Sequence, residues 1–146
     1  TIDSYYEASM DLISVIPEFN LYDEEWPVRT MQFQMPPAKT VSHGMERIGR
    51  TLESLICDGT VVSGGLVERS LIGNNVRVNS YSYIGDSIIM NNCNIGRRAK
   101  IRRAIIDKNV NVPEGYEIGY NAEEDAKKFT LTETGIVVIP KNYQFA

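Results

Sequence analysis

Ile72-Gly73-Asn74-Asn75-Val76-Arg77-Val78-Asn79-Ser80-Tyr81-Ser82-Tyr83-Ile84-Gly85-Asp86-Ser87-Ile88-Ile89 and the segment that follows it, Met90-Asn91-Asn92-Cys93-Asn94-Ile95-Gly96-Arg97-Arg98-Ala99-Lys100-Ile101-Arg102-Arg103-Ala104-Ile105-Ile106, set aliphatic side chains at the same offsets. From Ile72 the steps run six, six and five residues, to Val78, Ile84 and Ile89, and repeat to Ile95, Ile101 and Ile106. The rhythm extends outward to Leu55, Val61 and Val67 on one side and to Val112 and Ile118 on the other. The result is a series of twelve Leu, Ile or Val residues with a coil of seventeen.

A step of five or six residues is too short for a strand plus a crossover helix. It suits a strand of two or three residues and a tight corner, three times per turn of a triangular solenoid. The twelve aliphatics are then predicted to point inward and to stack at the strand spacing of about 4.8 Å. The fourth residue after each is expected inside as well, near a corner: Gly59, Gly65, Leu71, Val76, Ser82, Ile88, Cys93, Ala99, Ile105 and Val110. Corners need left-handed backbone angles, which Asn and Gly adopt most readily. The column Asp58, Asn75, Asn92, Asn109 meets that need. The predicted class is mainly β: a parallel β-helix of about four coils, with an N-terminal helix and a C-terminal helix-strand cap.

The flanks differ from the repeat. Ile2, Tyr5, Tyr6, Leu12, Ile13 and Ile16 have helical spacing, and Pro17 predicts that the helix stops near Val15 or Ile16. Residues 17–54 read as irregular, with extended pieces around Val28–Phe33 and Ala38–Val41 and a loop over Ser42–Arg50. Asn121 can cap a short helix, Ala122–Phe129, whose first turn is acidic. Ile136-Val137-Val138-Ile139, stopped by Pro140, reads as a buried strand.

At 146 residues with 42% hydrophobic and 23% charged residues, the chain has room for one domain or a small two-part unit. The net charge of −4 argues against bulk nucleic-acid or anionic-membrane binding, and no apolar run approaches membrane length. Cys57 and Cys93 lie far apart, so a disulfide framework is not expected and a reducing cytoplasm fits. The chain opens on Thr1 inside a helical pattern and reads as a fragment.

The hexapeptide pattern, with Ile-Gly at 72–73, 84–85, 95–96 and 118–119, resembles left-handed parallel β-helices. The hand comes from this resemblance, because ordinary parallel crossovers are right-handed. Acyltransferases of the fold use a loop His as general base, and the single His43 lies before the first coil of the ladder. Zinc enzymes of the fold need three His ligands, which one His cannot supply. The third setting is a β-helix behind a sugar-nucleotide pyrophosphorylase domain.

The flanks favour the third. Residues Thr1–Leu12, Asn20-Leu21-Tyr22-Asp23, Trp26-Pro27, Pro36-Pro37-Ala38-Lys39, Ile106-Asp107-Lys108, Val112-Pro113-Glu114-Gly115, Asn121–Ala126 and Gly135-Ile136-Val137-Val138 together resemble the ADP-glucose pyrophosphorylases (glucose-1-phosphate adenylyltransferases) of bacterial glycogen synthesis. That resemblance implies a cytoplasmic parent that converts ATP and glucose 1-phosphate into ADP-glucose and pyrophosphate with Mg²⁺. It implies that residues 1–54 connect from an N-terminal catalytic domain and that residues 55–146 form the β-helix domain. The nucleotide loop, sugar-phosphate Lys and metal-binding Asp of the family lie upstream of Thr1, so this chain by itself is expected to be inactive and to need no cofactor. Ser63-Gly64-Gly65 reads as a turn within a coil rather than a phosphate loop.

Regulation and assembly remain. Lys108 matches the basic effector residue of the family's Ile-Asp-Lys/Arg motif, and Lys141 matches the basic residue six positions after the Gly of Gly-Ile-Val. Both suit a phosphate as point charges. Arg97, Arg98, Arg102 and Arg103 are weaker candidates for the same role. The expected partners are the catalytic domain, further copies in a tetramer, and phosphorylated metabolite or nucleotide effectors. A structural β-helix module of another sugar-nucleotide pyrophosphorylase is the alternative, and a hexapeptide acyltransferase is the less favoured one. Tyr81 is expected to face outward.

Overall fold

The computed structural model describes all of residues 1–146. Helix α1 (Ile2–Asp11) begins at a Thr1 cap whose hydroxyl accepts the Ser4 N–H at 3.1 Å. It stops earlier than Pro17 requires. The Asp11 carboxylate turns back to accept the Glu18 N–H at 2.8 Å, which closes the chain into bends. No regular structure forms over Val28–Phe33.

The solenoid then climbs through short parallel strands. One coil holds β1 (Lys39–Val41), β2 (Arg50–Leu52) and β3 (Leu55–Ile56); the next holds β4 (Val61–Ser63), β5 (Leu66–Glu68) and β6 (Leu71–Ile72). β7 (Arg77–Val78), β8 (Tyr83–Gly85) and β9 (Ile88–Ile89) follow, then β10 (Asn94–Ile95), β11 (Lys100–Arg102) and β12 (Ala104–Ile106). β13 (Asn111–Val112) and β14 (Glu117–Ile118) begin a last coil, interrupted by helix α2 (Ala122–Lys128) and β15 (Thr130–Leu131) and completed by β16 (Val137–Ile139). The three faces are β1-β4-β7-β10-β13, β2-β5-β8-β11-β14 and β3-β6-β9-β12-β16, with β15 antiparallel on the last.

Ten of the twelve ladder residues point into the prism with 1% exposure or less, but Leu55 and Val61 do not. The pairs Ile56↔Ile72 and Val62↔Val78 show that the first step is sixteen residues, not seventeen. Ile56 and Val62 are therefore the inward residues. The missing residue lies between Val62 and Gly64, because Gly64 sits in the column of Tyr81 while Val62 pairs with Val78. A tight corner there depends on Gly64, at φ +72°. The same slip puts Thr60 rather than Gly59 inside, and Gly59 rather than Asp58 at the left-handed corner.

Leu71, Ile88 and Ile105, expected inside, instead face outward and carry α1. Tyr6 packs on Ile88, Ile105 and Ile136, with Met10 and Leu71 at the margin. Burial of that stripe makes α1 part of the fold, since a ten-residue helix is marginal alone. Stacking also reaches upstream of Leu55. Thr40 and Thr51 pair with Val62 and Val67, so the first coil has Thr at two inward positions and escapes an aliphatic pattern. Their end of the prism is open, as a cavity of 210 Å³ lined by Ala38, Lys39, Thr40, Thr51, Ile56 and Val62. The other end is sealed by edge-to-face contacts among Tyr116, Phe129, Tyr143 and Phe145, as a terminal coil requires.

Polar ladders run beside the aliphatic one. Ser54, Ser70 and Ser87 each accept an N–H from the next coil and donate to the carbonyl two residues back. Asn75, Asn92 and Asn109, all at φ near +60°, pass a side-chain amide hydrogen bond from coil to coil. These corners have no unpartnered buried polar side chains.

Candidate functional site

The corner after β12 carries Asp107-Lys108-Asn109, and the corner after β16 carries Pro140-Lys141-Asn142. Pairing of Ile106 with Ile139 superposes the two corners one rung apart. Asp107 donates its N–H to the Ile139 carbonyl at 3.0 Å, and Asn142 donates its N–H to the Lys108 carbonyl at 3.0 Å. Asn142 also continues the amide ladder, taking the Asn109 Nδ2–H at 2.9 Å while itself at φ +62°. Lys141 thus lies directly beyond Lys108, about 4.8 Å along the stack. Thirty-three residues separate them in sequence, and the excursion through α2 brings them together.

Both lysines are exposed. Lys108 Nζ lies 3.3 Å from Asp107 Oδ1 and 3.9 Å from Met90 Sδ. Asp107 Oδ1 also accepts the Lys108 N–H at 2.7 Å, which holds that carboxylate at the corner. It lies within ion-pair distance of Lys108, while Lys141 has no carboxylate partner. Two positive charges against one negative leave the corner able to take an anion.

The arginine run does not join this corner. Arg97 and Arg98 lie on the corner between β10 and β11, with their guanidinium carbons 5.6 and 5.0 Å from the Tyr81 ring centre. Arg102 projects from the second face, donates to the Gly119 carbonyl at 2.8 Å and covers Tyr120 at 4.2 Å. Arg103 occupies the third corner, donates to the Thr134 carbonyl at 3.0 Å and reaches Tyr6 at 5.9 Å. Tyr81 faces outward, as expected, 45% exposed.

Sequence reading missed what ties α1 to the strand that leads into the Lys141 corner. The Thr134 hydroxyl donates to Asp3 Oδ1 at 2.7 Å, and hydrogen bonds from Thr132 and Thr134 hold the Asp3 carboxyl below its ordinary value. The Tyr6 hydroxyl donates to the Asp86 carbonyl at 2.6 Å. Thr132 and Thr134 belong to the turn between β15 and β16, so the first helix is tied to the element that delivers Lys141. Only the outward column Leu71, Ile88, Ile105 carries a signal of this, and its spacing alone reads as core.

Comparison with known proteins now adds to the geometry. The chain is 52% identical over 140 residues to a glucose-1-phosphate adenylyltransferase of Geobacter metallireducens, covering 95% of the chain and 34% of that protein. It is 48% identical over 143 residues to the enzyme of the same name from Koribacter versatilis, covering 98% of the chain and 34% of that protein. Identity to the one from Rhodopirellula baltica is also 48%, over 150 residues and the whole chain, again 34% of that protein. The chain spans about a third of the length of the curated relatives it matches. A family model described as "GlmU-like, C-terminal hexapeptide" matches residues 36–139, a range that takes in β1 and ends with β16. With stacked three-sided coils and this match over most of its length, the chain belongs to the GlmU-like C-terminal hexapeptide family of left-handed β-helices.

Proposed function

We propose that these residues form the effector-binding and assembly part of a glucose-1-phosphate adenylyltransferase of glycogen synthesis, a cytoplasmic enzyme that makes ADP-glucose and pyrophosphate from ATP and glucose 1-phosphate. The observation that carries this reading is the stacking of Lys108 and Lys141 on one corner with a single carboxylate. The shared name of the relatives supports the parent activity. An anionic effector bridging the two ammonium groups would lower their mutual repulsion. It would also bind β12 to β16, and through the Thr132–Thr134 turn it would reach α1. That route gives effector occupancy a physical connection to the first helix.

Catalysis by the parent would rest on residues outside this chain. No group of three His, Cys, Asp or Glu side chains converges here. No helix is long and apolar enough to cross a membrane. Support for assembly with a catalytic domain and into a tetramer comes from two features. The edges of β1, β2 and β3 are unpaired at the open end, and Val15, Ile16, Trp26 and Met31 are each 79% exposed or more.

The test is an effector titration on the parent enzyme carrying Lys108→Ala or Lys141→Ala. The half-saturating concentration of a phosphorylated activator or inhibitor should rise at least tenfold, while the rate without effector stays within about twofold. Unchanged titrations in both variants would refute the assignment. The isolated chain should make no ADP-glucose, and detectable synthesis by it would overturn the division of labour.

A further inference from the structure

The corner between the first and second faces holds a second cationic constellation, built around Ser80. Arg47, from the loop that joins β1 to β2, crosses over Gly64 and donates from one Nη to Ser63 Oγ and Ser80 Oγ, each at 3.0 Å. Those two hydroxyls are its only side-chain partners, and no carboxylate lies within ion-pair distance. Arg98 donates its backbone N–H to the Ser80 carbonyl at 3.1 Å, and the Ile95↔Val78 pairing puts Arg97 one rung above Ser80. Tyr81, next in the chain, has both guanidinium groups over its ring. Glu114, 3.9 Å from Arg98, is the single acid paired with any of the three arginines. Three guanidinium groups therefore share one loosely held ion-pair partner, with Glu46 lining the adjoining groove beside Gly64 and Tyr81, in a chain whose net charge is −4.

The left-handed column here is Gly64, Tyr81, Arg98, Gly115, at φ +72°, +62°, +58° and +69°. Gly suits that conformation, whereas a Tyr or Arg there is strained. The other two corners share the angle, along Asn75, Asn92 and Asn109 with a tolerant residue type and along Glu53, Arg69, Asp86 and Arg103 largely without one, so it belongs to the coil geometry. Here the two strained positions are the aromatic ring and one of the cations that covers it.

We infer that Arg47, Tyr81, Arg97 and Arg98 form an anion site, separate from the lysine corner, for a dianionic phosphoryl group. Guanidinium groups present flat pairs of N–H donors that match phosphoryl oxygens, and they use few of those donors within the chain. Ser63 and Ser80 fix the Arg47 fork, and the Tyr81 ring fixes the other two. The phosphoryl group can belong to free phosphate or to an ester whose organic part lies against the exposed edge of Tyr81.

The experiment is a titration of the 146-residue chain with inorganic phosphate and, in parallel, phenyl phosphate at constant ionic strength, followed by NMR of the arginine Nε–H signals. Saturable shifts at Arg47, Arg97 and Arg98 are expected with at least one of the two, and the better probe tells free anion from ester. They should persist in the Lys108→Ala/Lys141→Ala double variant and weaken at least tenfold in Arg97→Ala/Arg98→Ala. Tyr81→Gly should melt higher than the parent chain while binding the same probe at least threefold more weakly. Shifts that never saturate with either probe, or that survive Arg97→Ala/Arg98→Ala, overturn the site. Saturation that disappears in the lysine double variant assigns the anion to the other corner and also overturns it. Loss of the lysine response alone would count against the proposed effector corner and leave this one standing.

Discussion

Asn142 receives the Asn109 side-chain amide at 2.9 Å and donates its own N–H to the Lys108 carbonyl at 3.0 Å, so the corner bearing Lys141 is clamped on both sides to the corner bearing Lys108. Because Asn142 stands at φ +62°, replacements separate two effects. Asn142→Gly keeps the backbone angle and loses the amide bond, at a cost of about 1 kcal/mol. Asn142→Ala adds the left-handed penalty of a further ~1–2 kcal/mol. Chemical denaturation should rank parent chain, Gly and Ala in that order. Equal losses in both variants would mean that the amide rung carries all of the effect.

Gly64 has two separate reasons to be Gly. Its φ is +72°, and a Cβ built there would lie 2.5 Å from Arg47 Cγ. Gly64→Ala is expected to destabilise by about 1–3 kcal/mol. Adding Arg47→Ala should recover part of that loss by removing the clash and leaving the backbone strain. A double-mutant cycle on thermal unfolding reads the coupling, and strict additivity would show that the loop yields without cost.

How much of this was legible beforehand depended on which residue types filled which positions. Ile72 through Ile118 could be read because every inward strand position there is Ile or Val at seventeen-residue spacing. The first coil and the start of the second could not, since Thr40 and Thr51 hold two of the first coil's three inward positions and one residue is missing beside Gly64 in the second. A period-two strand gives the opposite face when shifted by one, which is why Leu55 and Val61 were assigned inward in place of Ile56 and Val62. Leu71, Ile88 and Ile105 misled for a related reason. An apolar side chain looks the same to a pattern whether it faces the prism or an outer helix, and only α1 decides. At the candidate site, motif resemblance picked out Lys108 and Lys141 but not their adjacency, which depends on β16 returning to the third face after α2. Arg47 carried no signal at all, being one charge in a loop.

The sealed end of the prism should be sensitive to loss of one ring. Phe129 is 8% exposed and lies edge-on to both Tyr143 and Phe145, at 5.3 and 6.0 Å between ring centres. Phe129→Ala is expected to cost about 3–5 kcal/mol. Hydrogen exchange should speed first in β13, β14 and β16, because the last coil loses its cover before the others. Uniform acceleration along all coils would instead indicate a single cooperative unit.

The tether between α1 and the β15–β16 turn is expected to depend on pH through Asp3. Hydrogen bonds from Thr132 and Thr134 favour its ionised form and lower its pKa in the folded chain below the ordinary 3.8. A carboxyl with a depressed folded pKa contributes stability that is present above its unfolded value and is lost as the pH falls through the folded one. At neutral pH the tether is therefore intact, and acidification below 3.8 should release it. Because Asp3 is partly exposed and the tether is local, release should appear as faster amide exchange in α1 and at Thr132–Gly135 rather than as global unfolding. Asp3→Asn should give the faster exchange at neutral pH already and remove the acid-dependent step. If α1 protection falls with the same acid midpoint in Asp3→Asn as in the parent chain, another carboxyl governs the release, and the coupling of the first helix to the Lys141 strand does not run through this pair.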